Sequence, residues 1–375
     1  MQKIDCDQKN PLPNHILVML FLLLFILIVD NGQSVWAQST ENIQADSAQL
    51  TTGEKETIRE DLADVILQKL AFYASQYPDM NFIVLDSAAD LRKNIQVLAR
   101  VIGEDPVPED YAHPLNLRET LLSVTIDRIA TMLATRTVSS TLFKTGKNAL
   151  AKRSHVCVVT IDPWGIARDD RAATEHLLSL SDDEFLTIPS SKYLEHFSHL
   201  QYTLDHEIYH CLDSRLNGPI PMSSHEFWGG YSSYKNELGA DAFAVMMNIG
   251  THNGVTAYAK TLNNIRGLAL LTGDFDHLTH GVIAEVLEMN PDKIVRANVY
   301  ERFRLASEMR SRFAGSYEDY ISYSTAAKYV FRHLHGRKEM EKNTDKPDED
   351  RVQALLAETH QAYRNLTGHD LKCDR

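Results

Sequence analysis

Residues 189–219 limit the fold more than any other stretch of the chain. Pro189-Ser190-Ser191 opens a segment in which Leu194, Phe197, Leu200, Leu204, Ile208, Cys211 and Leu212 follow one side of a helix. Asn217-Gly218-Pro219 ends it. Inside this helix lies His206-Glu207-Ile208-Tyr209-His210. Residues four apart stack on one helical face, so both imidazoles can reach one metal ion at ~2.0–2.1 Å. Glu207 is rotated about 100° from His206. It can stand beside the metal's open position without being a ligand, where a carboxylate can take a proton from water. The competing reading is a pair of surface histidines on an acidic helix.

A catalytic zinc usually has three protein ligands and one open position. The positions three and six beyond His210 are Asp213 and Leu216, not the Gly and His of the metzincin pattern. Glu237 is the leading candidate, 27 positions after His210 in Asn236-Glu237-Leu238-Gly239-Ala240-Asp241. It falls in a separate helix, read as starting near Ser233 and ending at Gly250, which a turn can bring face to face with the first. Glu237 and Asp241 share a face, so Asp241 can accept a hydrogen bond from a ligating histidine's other nitrogen. Two competitors stay open: Asp213, one turn further along the motif helix, and His225-Glu226 in the intervening loop. Glu237 itself also reads as an ordinary acidic residue on a solvated helix.

In His206, Glu207, His210, Glu237 and Asp241 the chain resembles the gluzincins, the thermolysin-like zinc metallopeptidases, whose motif is HExxH followed downstream by ExxxD. The resemblance spans about residues 150–335, with the specific motifs confined to 206–241. It implies a helix-rich α+β fold with a zincin-like catalytic domain and a small sheet. It implies one Zn2+ ion held by His206, His210 and Glu237, with Glu207 as general base and Asp241 supporting a ligand histidine. The substrate class implied is a peptide or protein. By the same resemblance, the strand expected at His155–Ile161 would be the sheet-edge strand that binds substrate. Candidates for stabilising an oxyanion are Tyr231, Tyr234, Tyr258, His277 and His280. Two other functions remain open: a non-catalytic helical binding protein with a structural zinc site, and a zinc hydrolase acting on a non-peptide amide such as cell wall.

The rest of the chain sets the context. Its 375 residues are 43% hydrophobic and 24% charged, an ordinary globular composition. The net charge of −13 argues against a nucleic-acid partner. Ile16–Val29 is an apolar run, too short for a comfortable span and of signal-core length, and Val35-Trp36-Ala37 offers a cleavage site. Residues 1–37 therefore read as an export signal, with an uncleaved anchor as the alternative. No later segment is apolar enough to span a bilayer. The expected location is periplasmic or secreted.

Residues 38–53 read as a disordered linker and 54–145 as a helical N-terminal region, its second helix opened by Ser87-Ala88-Ala89-Asp90. Residues 150–335 form the expected catalytic domain, and 336–375 a charged linker with a final helix. Of the exported cysteines, Cys157, Cys211 and Cys373, an odd number leaves one unpaired within the chain.

Overall fold

The strand His155–Ile161 is buried along almost its whole length, and the molecule is organised around it. Its side chains alternate between two cores. Val156 and Val158 pack with Ile95, Leu98, Ile129 and Leu133 on one side. Cys157, Val159 and Ile161 join a much larger core on the other. Burial on both faces explains why the sequence there is an unbroken β-branched run rather than an alternation.

The computed structural model describes residues 51–102, 124–145, 153–178, 188–218, 230–335 and 347–371. In chain order the elements are α1 (Thr52–Gln76), β1 (Met80–Asp86), α2 (Leu91–Ile102), α3 (Val124–Ala134), β2 (Ser139–Lys144) and β3 (His155–Ile161). Next come α4 (Pro163–Ala167), α5 (Asp170–Leu177), α6 (His196–Leu216) and α7 (Tyr231–His252). The chain continues with α8 (Ala257–Gly267), α9 (Ala269–Thr272), α10 (His280–Glu288) and α11 (Pro291–Arg296). It closes with α12 (Val299–Ala314), α13 (Tyr317–Leu334) and α14 (Glu349–Thr367). The expected class, helix-rich α+β with a small sheet, is what is observed.

The sheet order is β1-β3-β2. β1 runs parallel to β3, with Met80 opposite His155. β2 runs antiparallel, with Ser139 opposite Thr160. β3 is therefore central, which corrects its expected place at the sheet edge. β2 is an edge strand, paired on one side only among the described residues. Its Ser140 hydroxyl, on the sheet face of Val159 against which the motif helix packs, donates to the Glu207 carbonyl at 2.7 Å.

The N-terminal region, expected to be helical, contributes two of the three strands. Its helix α2 starts later than the sequence suggested: Asp90, not Ser87, is the cap, accepting from the Lys93 N–H at 2.8 Å. The long helix also starts late. Ser190–Lys192 is a short 3-10 turn, and Glu195 caps α6 by accepting from the Phe197 and Ser198 amides at 3.0 and 2.7 Å. No described helix is long and apolar enough to cross a membrane. The expected signal segment, most of the 38–53 linker, the 336–346 charged stretch and Cys373 lie outside the described residues.

Candidate metal centre

Helices α6 and α7 pack face to face, as the spacing of their motifs requires. A glycine sets how closely they approach. Gly239 lies midway between Glu237 and Asp241, and the Tyr209 ring lies across it: a Cβ there would collide with the Tyr209 hydroxyl and meet its Cζ at 2.6 Å. Tyr209 is itself wedged between Phe243 and Phe303.

This packing brings three side chains of the motif to one point. The Nε2 atoms of His206 and His210 are 3.3 Å apart. Glu237 Oε2 lies 2.9 Å from His206 Nε2, and Oε1 lies 3.6 Å from His210 Nε2. A tetrahedral ion with bonds of ~2.0–2.1 Å has ligand–ligand edges of about 3.3 Å, so all three separations bracket that edge. Glu237 Oε2 is buried and makes no well-aligned hydrogen bond despite its close neighbours. Glu237 approaches His206 through Oε2 and His210 through Oε1, and the two imidazole nitrogens stand at hydrogen-bond distance of each other. These residues could hold a metal ion.

The electrostatics agree. Burial pulls the His206 imidazole down, but Glu237 and Asp241 outweigh it and raise the group to about 10. Burial pushes the Glu237 carboxyl up, but His210 and His206 outweigh it and hold it well below the usual range. In the absence of an ion, imidazolium charge balances the buried carboxylate.

Asp241 is fully buried behind His206 and accepts from its Nδ1 at 2.7 Å. This fixes the tautomer that presents Nε2 to the centre. Asp241 also accepts from the hydroxyls of Tyr202 and Thr279 and pairs with Arg266, Nε to Oδ2 at 2.9 Å. Burial alone would raise the Asp241 carboxyl, but Arg266 and His206 drive it far below its ordinary value. Tyr202 precedes His206 by one turn of α6, a spacing visible in sequence. Arg266 and Thr279 carried no signal, because their partners lie in distant elements.

His277 is the residue brought in from outside the motif. Its Nε2 stands 3.2 Å from Glu237 Oε2, and its Nδ1 faces Asp274 at 2.8 Å. Burial and Arg266 lower this imidazole, but Asp274 and Glu237 raise it to about 9. One potential ligand atom each from His206, Glu237 and His277 lies within 4.8 Å of the others. Of the five oxyanion candidates, His277 is the one in contact with the ligand set. The Tyr231 hydroxyl donates to the Gly315 carbonyl, and His280 pairs with Glu358. Tyr258 contacts His199, and Tyr234 stacks with Tyr320 and Tyr323.

Glu207 is buried on the same helix, at 7% exposure. Asp213, the competing ligand, is instead paired with Arg310 at 2.6 Å. His225-Glu226 lies outside the described residues. Cys211, directly after His210, forms a disulfide with Cys157 of β3. A second potential ligand group, Asp170, Glu195 and His196, is largely exposed. Its carboxylates already accept backbone N–H groups. No family model, curated protein or solved structure matches the chain.

Proposed function

We propose that this chain is an exported zinc metallopeptidase of gluzincin type with a zincin-like fold. The observation that carries the proposal is the convergence of His206, His210 and Glu237 at 2.9–3.6 Å; Glu207 stands between the two histidines in sequence and is buried. A zinc ion held there would polarise a scissile carbonyl and acidify water.

The chain's own residues would do the rest. Asp241 orients His206. Glu207 takes a proton from the attacking water and delivers it to the leaving amine nitrogen. His277, aligned by Asp274, donates through Nε2 to the carbonyl oxygen as negative charge builds there. The open edge of β2 is the place for an extended peptide to add as a strand, held in register with the base because Ser140 is bonded to the Glu207 carbonyl. The Cys157–Cys211 disulfide supports an oxidising compartment and therefore export.

The test pairs metal analysis with cleavage of a peptide library by wild type and Glu207→Ala. The expected result is one zinc per chain in both and cleavage only by wild type. Absence of zinc in both overturns the reading.

His277 supports a second reading, because its Nε2 lies 3.2 Å from Glu237 Oε2. As a fourth ligand it would close the site and make the zinc structural. His277→Ala separates the two. Loss of zinc with no cleavage by wild type supports the closed site. Retained zinc with a loss of turnover supports the peptidase.

A further inference from the structure

A concavity lies beside the candidate metal centre, lined by the residues that follow Glu237 and His277. It is a cavity of about 220 Å3 enclosed by α7, α10, α12, α13 and α14. Its inner walls are these two residues, Leu238 and Leu278, together with Val282 and Phe313. Three tyrosines also line it, with Tyr234 against Tyr320 and Tyr323 at ring separations of 5.5 and 5.6 Å. The lining is mixed: this apolar and aromatic surface is joined by the Asp319 carboxylate and His280, in a volume below the ~300–1,000 Å3 of a drug-sized site.

The mouth of the cavity is charged in both signs. Glu358 and Arg351 both line it, and both come from α14. Seven residues apart, they share a face of that helix, with Cα atoms about 10 Å apart. Both charges have partners, Arg351 also donating to the Asp319 carbonyl at 3.2 Å, but these are pairs between partly exposed side chains, which a ligand can displace at small cost. Arg351 is 3.5 Å from Asp319 and 3.8 Å from Asp348, with about a third of its side chain exposed. Glu358 is half exposed and meets His280 Nε2 at 2.8 Å. The other nitrogen of that histidine, Nδ1, is buried without a hydrogen-bond partner among the described residues. Buried polar atoms in native structures normally have partners, so this wall has unused hydrogen-bonding capacity.

We infer that this cavity binds a short zwitterionic peptide of about two residues bearing a large apolar side chain. Its side chain enters the aromatic interior. Its ammonium meets Glu358 and its carboxylate meets Arg351. An extended dipeptide is about 7 Å long, which long side chains leaning in from a 10 Å separation can bracket. A single amino acid is too short to engage both. The inference does not depend on the metal centre, and it can fail or hold independently of the peptidase reading.

The test is isothermal titration of the full chain, dialysed against a chelator, with leucyl-phenylalanine. The controls are its N-acetylated amide, which lacks both charges, and glycylglycine, which lacks the side chain. Saturable one-site binding is expected, roughly tenfold or more tighter than either control. Glu358→Gln and Arg351→Gln should each weaken it roughly tenfold. Gly281→Leu fills the cavity from a position whose added Cβ stands 3.6 Å from Phe313, and should abolish binding. The two rim substitutions are on partly exposed side chains and decide the matter if Gly281→Leu does not fold, as judged by circular dichroism. The inference is overturned by absence of binding, by equal affinity for the capped analogue, or by unchanged affinity in both rim variants.

Discussion

At the scale of single residues, Gly239 and Asp241 show what a motif includes beyond its ligands. Glycine inside a helix costs about 1 kcal/mol relative to alanine, so Gly239→Ala would stabilise an isolated helix. Here the added methyl would sit 2.6 Å from a Tyr209 ring atom. The ring cannot swing away, because Phe243 and Phe303 hold it. The net effect should be destabilisation of about 1–3 kcal/mol by urea unfolding; a gain in stability would refute this account of the α6–α7 contact. Asp241→Ala should do two separable things. Leaving Arg266 buried and unpaired costs about 3–5 kcal/mol of folding stability. Freeing the His206 ring weakens zinc about 10–100-fold in a chelator competition. Both motif carboxylates were legible in sequence because helical spacing is local. Arg266 and Thr279 were not, because they reach Asp241 from 25 and 38 residues away. His277 was one of five candidates until the fold selected it.

At the scale of elements, the motif helix is held on several sides within nine residues. Asp205, just before His206, accepts from Lys69 Nζ and the Tyr73 hydroxyl, both at 2.7 Å and both from α1. Ser140 of β2 bonds the Glu207 carbonyl, the disulfide joins Cys211 to β3, and Arg310 of α12 pairs with Asp213. The first of these ties bears on whether the N-terminal region is a removable prosegment. Its helix α1 compensates a carboxylate that is 1% exposed, and its strand β1 pairs with β3 along seven residues. Taking α1 away would strand a buried charge. Lys69→Met should therefore cost about 3–5 kcal/mol, and the double change Lys69→Met/Asp205→Asn should recover much of it. If the double variant is no more stable than the single one in chemical denaturation, the clamp is not electrostatic. The disulfide closes a 54-residue separation, so Cys157→Ser/Cys211→Ser should lose up to ~4 kcal/mol. Sequence reading found α6 and α7 because each carries a long helical signal with a stop. It missed β1 and β2 for opposite reasons. β1 is a short run following the Pro78 break, and β2 is partly exposed throughout with no alternation to see.

At the scale of the whole molecule, buried histidines outside the candidate centre govern the response to acid. Behind Tyr202, His176 Nδ1 and His199 Nε2 share a hydrogen bond at 2.9 Å, and His199 Nδ1 meets the Tyr258 hydroxyl at 3.1 Å. Burial, reinforced by Arg266, pushes His176 down to about 4. Burial, then the neighbouring His176, pushes His199 well below its ordinary value. Both are therefore neutral when folded but take protons near pH 6.5 when unfolded. As pH falls from 6.5 to 4, the unfolded chain binds protons that the folded chain does not, and stability drops by up to ~1.4 kcal/mol per pH unit for each. His206 and His277 have the opposite sign in the metal-free chain. Raised to about 10 and about 9, they contribute stability that is fully present below pH 6.5 and lost as pH rises through those values. The metal-free chain should thus be most stable near pH 6.5 and lose up to ~1.4 kcal/mol per pH unit for each of these two groups above it, until each reaches its folded value. Zinc should remove the alkaline loss, since it binds the deprotonated nitrogens. Urea unfolding from pH 4 to 10, with zinc and with a chelator, measures both limbs. His176→Gln should flatten the acid limb and leave the alkaline one unchanged; an acid limb of unaltered slope would mean that other groups set it.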